Sequence, residues 1–472
     1  MTPSRFTHKS RYPIVGLFGL IISVVPTVSA SAGTNQPSAQ PSDMQTRDSP
    51  SVALPSSSPG RHMAWVVAIL NGAKAPTDAE IIRRFSSTFR AAVPQDQVRA
   101  VFAELAAKGP YQLVAIPAAT AKQLAVELAD ATGGRVGIEM ELDSGGLISG
   151  LQARPISTTP RPTSWKGVTA ALTKVGSSQG LLAVEVSRDG KQSSIAALNQ
   201  DLGQPIGSAF KLYVLGALAR SVERGDTRWA TPLAVVDQYK SLPSGRLQDA
   251  RSGRTFPVRE LATRMIAESD NTATDHLIGL VGRTSVERAF ADMGNRSVAR
   301  NLPLLSTRNL FQLKATAEPT PLLATYAAAG QGGRRKIIAK LDTNRAPLRL
   351  GKGGVGIWSK PREIERVEWF ASPSDLVRAV AELGRLSARP GLSQLNGILG
   401  KNPGVRIGPE WTRVAFKGGS EPGVLSLTWR LVRMVGRVFA LSMAASDPSS
   451  PISEDDIVTA AEGAIALLAE QP

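Results

Sequence analysis

Hydrophobic residues recur at helical spacing along most of the chain and alternate with polar residues in a few short stretches. Two helical patterns lie in the amino-terminal part, "TDAEIIRRFSSTFRAAV" and "PQDQVRAVFAELAAKG", the second with Pro94 near its start. The apolar stripe of the first pattern consists of Ile81, Ile82, Phe85 and Phe89. Both segments are therefore predicted to be amphipathic helices.

Strand patterns follow these helices. "YQLVAIPA" is predicted to be a strand, residues 120–131 a helix, and the segment around Asp143 to Gly146 the turn of a strand pair. Together these elements predict a small α+β domain over residues 61–155. The stretch "ARPISTTPRPTSW", rich in proline and hydroxyl residues, predicts an interdomain linker over residues 156–163.

A second domain is predicted over residues 164–472. An amphipathic helix precedes two strands, "LLAVEVS" and "SSIAALN", whose connection contains Asp189-Gly190, a hairpin signal. A long, mostly helical section leads to a helix with Ser372 as N-cap and Pro373 at its first position. Three strand-like segments and an acid-led terminal helix close the chain. The fold class predicted is α+β, an antiparallel sheet between helical layers (an α/β/α sandwich) with a helical insertion.

The first 60 residues predict export rather than fold. Residues 1–30 have a basic start, an apolar core and small residues at their end, as in a secretory signal peptide, although an uncleaved anchor is the alternative. Residues 31–60 are mostly Ser, Pro, Gln, Thr, Ala and Gly, the composition of a disordered linker. We therefore expect a periplasmic or extracellular protein. The absence of cysteine excludes disulfides and a thiol nucleophile.

The chain is strongly basic, with a formal net charge of +16. Basic surfaces attract anionic polymers, so an anionic cell-envelope surface is one candidate partner, and a merely solvated basic face is the other reading. Nucleic acid is not expected, because basic and aromatic residues do not interleave in the way that nucleic-acid-binding segments require. No cofactor and no metal are expected, and we expect a monomer.

Lys211 lies in the apolar stretch "IGSAFKLYVLGAL", three residues after Ser208. The simplest interpretation is that its stem lies flat and its amine reaches water. The alternative is catalytic, because residues three apart share one face of a helix and a desolvated amine can take a hydroxyl proton. The S-x-x-K pattern alone does not decide between the two.

Two further motifs favour the catalytic interpretation. Ser269-Asp270-Asn271 follows the serine, and Lys417-Gly418-Gly419-Ser420 comes later, at the end of a predicted strand. Each is an ordinary capping or turn sequence by itself. In this order, and between these strands, they resemble the three-part signature of penicillin-recognising serine enzymes. Only His276 lies in the second domain, where packing is its expected role, so a lysine-assisted serine is more economical than a histidine-dependent triad.

Residues 164–472 thus resemble the class A β-lactamase and serine D,D-peptidase superfamily. The resemblance implies that Ser208 attacks a carbonyl, that Lys211 takes or relays its proton, and that Ser269 passes a proton to the leaving nitrogen. It also implies substrate-binding roles for Asn271, Lys417, Gly419 and Ser420. The N–H groups of Ser208 and Ser420 would form the oxyanion hole. Most relatives carry a hydroxyl residue in place of Gly418.

Two features modify this resemblance. Class A β-lactamases activate the deacylating water with a loop glutamate, but the corresponding stretch here, Asn301 to Ala315, contains no acidic residue, and nothing aims the nearby Glu318 inward. The two-domain layout is most similar to clavulanate-cluster β-lactamase-like proteins of the ORF 12 type, whose first domain resembles the steroid-isomerase and cyclase fold. A docking domain without pocket chemistry is the alternative for that part.

The function expected is an exported serine hydrolase that forms an acyl-enzyme on β-lactams or related amides and esters. The alternatives are a D,D-peptidase acting on peptidoglycan stem peptides and a penicillin-binding receptor that stays acylated. The substrate would accordingly be a β-lactam, an ester or a D-amino-acid peptide.

Overall fold

The computed structural model describes residues 52–471 except residues 94, 157–158, 243, 246, 317, 349–357, 359, 406 and 435. The predicted leader, most of the first predicted linker and Pro94 therefore lie outside the described residues. The described chain divides into two compact units, residues 52–156 and residues 159–471. Within these ranges, no helix combines the length and the apolar composition that crossing a membrane requires.

The first unit places four helices on a four-stranded antiparallel sheet whose strands follow one another in chain order. Its helices are α1 (Ser58–Leu70), α2 (Asp78–Arg84), α3 (Ser87–Ala92) and α4 (Gln95–Ala106), and its strands are β1 (Tyr111–Ala119), β2 (Gln123–Asp130), β3 (Arg135–Leu142) and β4 (Ile148–Ile156). The core lies between the helices and one face of the sheet, with Met63, Phe85 and Ile148 fully buried. The strand pair around Asp143 to Gly146 is confirmed by β3 and β4.

The helix predicted over residues 120–131 is wrong, because this segment forms β2. Leu124, Val126 and Leu128 are all buried, at 1%, 1% and 0% exposure, while the intervening residues are more exposed. Burial at every second residue is the period of a strand. Leu124 and Leu128 are also four residues apart, a spacing that fits a helix equally well, and this coincidence produced the error.

The first helical pattern is also broken, and the chain begins its fold earlier than predicted. Phe85 is extended and forms a bridge with Ile148, so that α2 ends before it. Ser86 then caps α3 by accepting a hydrogen bond from the N–H of Phe89. Ile82, expected on the buried stripe, is 49% exposed. Helix α1 begins at Ser58, inside the stretch assigned to the disordered linker.

The second unit contains the remaining helices and strands. Its helices are α5 (Trp165–Leu172), α6 (Lys211–Glu223), α7 (Val258–Ala267), α8 (Asn271–Val281), α9 (Arg283–Asp292), α10 (Thr307–Lys314), α11 (Pro321–Ala328), α12 (Gln331–Asp342), α13 (Pro373–Leu386), α14 (Gln394–Leu399) and α15 (Glu454–Ala469). Its strands are β5 (Ser178–Val186), β6 (Gln192–Leu198), β7 (Gln204–Pro205), β8 (Pro232–Ala234), β9 (Thr255–Pro257), β10 (Phe370–Ala371), β11 (Trp411–Glu421), β12 (Val424–Arg433) and β13 (Val438–Ser446).

The main sheet of this unit is antiparallel, with strand order β11-β12-β13-β5-β6. Helices α5 and α15 cover one face, where Trp429 and Leu441 are fully buried. Helix α13 covers the other face, where Val377 and Val380 contact Leu182 of β5. The sheet therefore lies between helical layers, which confirms the α+β class and the α/β/α arrangement.

The predicted start signal of α13 is confirmed. Ser372 caps α13 through the N–H of Asp375, and Pro373 occupies the first turn. The two-residue strands β7 and β10 pair with each other, Phe370 opposite Pro205. This pairing carries the chain into a short 3₁₀ turn, Gly207–Phe210, which continues directly into α6. The turn lies against the end of β11.

Candidate active site

Ser208 lies in the 3₁₀ turn, whereas Lys211 is the first residue of α6. The two residues are therefore not on one continuous α-helix, as the pattern suggested, yet the tight turn still brings their side chains together. Gly207 has φ +49°, a conformation that favours glycine. Phe210 anchors the turn by stacking on Trp369, with ring centroids 3.8 Å apart.

Lys211 is completely buried among oxygen acceptors. Its Nζ lies 3.0 Å from Oγ of Ser208, 2.6 Å from the carbonyl oxygen of Ser269, 3.0 Å from Oγ of Ser269 and 2.7 Å from Oδ1 of Asn271. Burial and, next, the positive charge of Lys417 hold the pKa of Lys211 well below its ordinary value. A neutral amine has two N–H groups and one lone pair. The two carbonyl oxygens can only accept, so the lone pair is left for a hydroxyl proton.

Ser269 and Asn271 reach this lysine from the start of α8. Asp270, fully buried, caps that helix by accepting a hydrogen bond from the N–H of Ala273 at 2.7 Å. Ser269 precedes the cap with φ +55°, an uncommon conformation for a residue with a side chain. The capped turn thus directs the carbonyl and hydroxyl of Ser269 toward Lys211. The amide nitrogen of Asn271 donates to the carbonyl of Leu242 at 3.1 Å, which fixes the orientation of the Asn271 side chain.

Lys417 brings a second amine to the site from β11. It is 3% exposed, and its Nζ lies 3.0 Å from Oγ of Ser269 and 2.6 Å from the carbonyl oxygen of Gly418. The hydroxyl of Ser269 therefore lies between two amines. Burial lowers the pKa of Lys417 to about 7, so this amine is partly charged near neutral pH.

The strand that carries Lys417 lies directly against the Ser208 turn. A Cβ atom placed on Gly419 would stand 2.2 Å from the carbonyl oxygen of Ile206 and 2.4 Å from the nitrogen of Ser208. One placed on Gly207 would stand 2.8 Å from the nitrogen of Ser420. The N–H groups of Ser208 and Ser420, the predicted oxyanion donors, thus belong to two segments in close contact. The tight contact at Gly419 is therefore with the Ser208 turn itself.

Gly418 has different surroundings. A Cβ atom there would meet Cζ of Phe416 at 3.0 Å and Cδ2 of Leu427 at 3.2 Å, both in side chains. The structure therefore brings together Ser208, Lys211, Ser269, Asn271, Lys417, Gly419 and Ser420, the whole predicted set. Their catalytic and substrate-binding roles stay predictions.

Sequence reasoning missed several polar residues beside this set. Ser244 donates to the carbonyl of Ser269 at 2.8 Å, and Glu368 accepts from the N–H of Gly207 at 3.1 Å. Lys314 and Glu421 form a buried ion pair near Glu368. The available signal was a charged residue inside an apolar run, as in "LFQLKA" and "RVEWFA". That is the same signal that pointed to Lys211.

His276 has a structural role in this arrangement. It is 1% exposed, and its Nε2 accepts from the N–H of Val236 at 2.9 Å. Nδ1 must then carry the ring proton, which it donates to the carbonyl of Thr272 at 2.7 Å. Burial lowers the pKa of His276, in keeping with a neutral ring. Glu318, the other residue considered for chemistry, is exposed.

The segment from Asn301 to Ala315 joins the helical insertion to the site. Asp275 of α8 is fully buried and accepts from the N–H groups of Thr307 and Arg308, each at 2.8 Å. Trp369 donates from its ring nitrogen to the carbonyl of Leu305 at 2.9 Å. These bonds fix the segment between α8 and the 3₁₀ turn that carries Ser208. No group of three or more metal-ligating side chains occurs in the part of the chain that the structure describes.

Two models of known protein families match parts of the chain. Residues 166–353 match the family model described as "Beta-lactamase enzyme family". The match is to a family of β-lactamase-like enzymes and covers about two fifths of the chain. The matched segment contains the first two motifs, and β11, which carries the third, lies beyond it. Residues 54–148 match the model described as "ORF 12 gene product N-terminal". No curated protein matches the chain.

Solved structures of β-lactamases and of PBP-A resemble the chain. The β-lactamase from Sphaerobacter thermophilus is 20% identical, with 66% of this chain and 99% of that chain covered and a TM-score of 0.45. The β-lactamase from Francisella tularensis is 14% identical, with 64% and 97% covered and a TM-score of 0.43. A mutant of PBP-A, in an acyl-enzyme complex with penicillin G, is 15% identical, with 66% and 100% covered and a TM-score of 0.44.

Proposed function

We propose that the chain is an exported active-site serine hydrolase that forms an acyl-enzyme with β-lactams or with amides and esters of similar shape. The observation that carries the proposal is the contact between Lys211 and Ser208. A buried amine lies 3.0 Å from a hydroxyl, and its carbonyl neighbours leave the nitrogen lone pair for that hydroxyl's proton. Export is supported by the basic and apolar leader in residues 1–30.

In the proposed acylation, Lys211 takes the proton of Ser208 as Oγ bonds to the substrate carbonyl carbon. The π electrons of the carbonyl move to its oxygen, which the N–H groups of Ser208 and Ser420 stabilise. The electrons on the oxyanion then re-form the carbonyl as the C–N bond breaks, and the electron pair of the C–N bond goes to nitrogen. That nitrogen takes a proton from Oγ of Ser269. Lys211 then returns a proton to Ser269 across the 3.0 Å between Nζ and Oγ. Lys417, in its charged form, would pair with a carboxylate of the substrate.

Slow deacylation is the second feature of the proposal, and it favours the receptor or D,D-peptidase alternatives over rapid turnover. The segment from Asn301 to Ala315 has no acidic residue, and Glu318 is exposed. Glu368 does reach the nucleophile turn, but its Oε2 is engaged by two backbone N–H groups, those of Gly207 and Trp369. A carboxyl group used in this way is poorly suited to activate water. A long-lived acyl-enzyme is therefore the expected product.

The test is to mix the purified full chain with a chromogenic cephalosporin and to follow absorbance and intact mass together, with Ser208→Ala as the control. We expect a stoichiometric burst and a stable mass adduct that the control lacks. A sustained linear rate that disappears in the control would make the protein a turnover β-lactamase. The acylation proposal fails if cephalosporins, esters and D-Ala-D-Ala peptides all leave the intact mass of the wild-type chain unchanged.

A further inference from the structure

Three buried charged side chains lie behind the nucleophile turn, and the mechanism above does not use them. Lys314 ends α10, Glu421 ends β11, and Glu368 lies two residues before β10. Their relative exposures are 0%, 8% and 4%. We call these three residues the Glu-Lys-Glu cluster. Charges this deeply buried are rare unless they are paired, so the arrangement requires an explanation.

The cluster connects the segments that form the oxyanion side of the site. Oε2 of Glu368 accepts from the N–H of Gly207, the residue before Ser208, at 3.1 Å. Glu421 follows Ser420 in β11 and pairs with Lys314, with Nζ and Oε1 2.5 Å apart. Ser208 therefore follows a residue that Glu368 binds, and Ser420 precedes Glu421, a member of the cluster.

Each carboxyl group of the cluster has one oxygen left over. Oε1 of Glu368 and Oε2 of Glu421 are buried and have no hydrogen-bond partner among the described residues. A buried oxygen without a donor is costly, and two such oxygens in one cluster point to a missing proton. Two carboxylates and one ammonium would also leave a net charge of −1 in the interior.

The electrostatics agree with a retained proton. Burial and the charge of Glu421 raise the pKa of Glu368 to about 8, against the opposing effects of Lys314 and the two N–H groups. Burial likewise raises the pKa of Glu421. One carboxyl group therefore stays protonated at neutral pH, and the cluster as a whole is uncharged.

We infer that the two carboxyl groups of the Glu-Lys-Glu cluster share one proton and that, in this uncharged form, the cluster positions the Ser208 turn against the end of β11 for acylation. The inference rests on the proposed function. An ionised cluster would put a negative charge behind the two N–H groups that bind the oxyanion, and this charge would oppose the one that develops on the substrate oxygen. Glu368 and Glu421 are thus positioning residues.

The effects of other nearby charged groups on the pH profile must be distinguished from the effect of the cluster. Arg362 donates to the carbonyl oxygens of Lys314 and Thr316, at 2.8 and 2.6 Å. Glu454 interacts with the side chain of Ser420. Lys417, on the same strand as Glu421, has its pKa lowered to about 7 by burial, and burial also lowers the pKa of Lys211. The pH profile of acylation by the wild-type chain alone therefore does not isolate the contribution of the cluster. The difference between the profiles of the wild type and the cluster variants does.

The experiment compares Glu368→Gln and Glu421→Gln with the wild-type chain. Either substitution leaves one carboxylate with one lysine, so the extra proton is no longer needed. The infrared C=O stretch of a protonated carboxyl, recorded at about pH 7, should be present in the wild type and reduced in both variants. The acylation rate of the wild type should fall by roughly tenfold more than that of Glu368→Gln between about pH 7 and about pH 9.

Glu185→Gln is the matched control, because Glu185 lies at the opposite end of the sheet and pairs with Arg437 on the surface. It should leave the protonated-carboxyl band and the pH profile unchanged. Thermal unfolding identifies a variant that fails to fold. If one of the two cluster variants does so, the other one provides the test. An absent band in the wild type overturns the shared proton. If the wild type shows the protonated-carboxyl band but its acylation rate depends on pH in the same way as that of Glu368→Gln, the positioning role is overturned. Failure of the wild type to be acylated at any pH overturns the proposed function and this role together.

Discussion

Gly419 lies so close to Ser208 that a Cβ atom at residue 419 would stand 2.4 Å from the Ser208 nitrogen. The obstacle is backbone, which cannot rotate away as a side chain can. This contact brings the strand that carries Lys417 and Ser420 against the turn that carries Ser208. It explains why glycine is required at this position by packing alone, before any substrate is considered.

Replacing Gly419 with alanine should therefore separate the two halves of the oxyanion hole. We expect Gly419→Ala to reduce the acylation rate by about 10²-fold or more, in the range found when one oxyanion donor is lost. The measurement is the rate of adduct formation by intact mass, with the unfolding temperature recorded alongside.

Gly418→Ala is the matched control for this effect. Its new Cβ atom would meet the side chains of Phe416 and Leu427 at 3.0 and 3.2 Å, which small rotations can relieve. We expect an acylation rate within about threefold of the wild type, because no backbone contact is lost. Equal losses in the two variants would contradict the explanation based on the Ser208 contact.

Lys211 and Lys314 are both fully buried, but we expect their substitution by methionine to have opposite consequences. Lys211→Met removes the proposed proton acceptor and should lower the acylation rate by about 10²- to 10⁴-fold. Its free energy of unfolding should change by less than about 2 kcal/mol, because lost hydrogen bonds and the relieved burial of the amine offset one another.

Lys314→Met should instead lose stability. It leaves Glu421 buried without its cation, which typically costs about 3–5 kcal/mol. Chemical unfolding followed by fluorescence, together with adduct formation, measures both quantities for both variants. If Lys211→Met retained full acylation, another base would have to be found. A fully stable Lys314→Met protein would show that the cluster tolerates the loss of its cation.

Lys417 should make the reaction with anionic substrates sensitive to pH. Burial lowers its pKa to about 7, so the charged form that would bind a carboxylate is lost as the pH rises above that value. The acylation efficiency of a carboxylate-bearing β-lactam, measured as kcat/KM or its single-turnover equivalent, should fall above about pH 7 relative to that of an uncharged ester. In Lys417→Met the ratio of the two efficiencies should not change with pH. A constant ratio in the wild type would exclude Lys417 as the carboxylate partner.

The sequence predicts those parts of the fold that depend on local pattern. The strands β5, β6, β11, β12 and β13 alternate or form apolar runs between turn residues, and α13 has a complete start signal in Ser372 and Pro373. The second and third motifs lie at the start of α8 and the end of β11, whereas the first, expected on one helix, begins in the 3₁₀ turn Gly207–Phe210 that precedes α6.

The sequence fails where a segment has two compatible periods or where contacts are distant. Leu124 and Leu128 fit helix and strand alike, and the sheet decides in favour of β2. Glu368 meets Gly207 across 161 residues of sequence, and no local pattern encodes such a contact. The Glu-Lys-Glu cluster therefore emerges only when the chain is folded.

Glu318 offers a test of how the acyl-enzyme is hydrolysed. Its side chain is exposed, and Thr316 donates to its backbone carbonyl at 2.6 Å. We therefore expect Glu318→Gln to leave the lifetime of the mass adduct unchanged within about twofold, as for a surface substitution. A clearly longer lifetime in this variant would make Glu318 the water-activating residue.

Asp275 links the helical insertion to the site, and its ionisation should affect stability with an unusual sign. Burial raises its pKa from 3.8 to about 6, although three hydrogen bonds, from Thr307 and the N–H of Arg308, oppose this shift. Between these two pH values the folded state binds more protons at Asp275 than the unfolded state does. The contribution of this group to stability must therefore fall as the pH rises from 3.8 to about 6 and then stay constant.

Asp275→Asn isolates this contribution, because it removes the titration and places an amide against three donors. We expect the variant to be less stable than the wild type by about 1–3 kcal/mol, since an N–H of the new amide would face other donors. Because only the wild type titrates here, the difference in unfolding free energy should narrow as the pH rises from about 4 to about 6. Urea unfolding at several pH values measures it. A difference that widens over this range would mean that Asp275 is stabilised as a carboxylate by its three donors, and burial would then not be the dominant influence on its pKa.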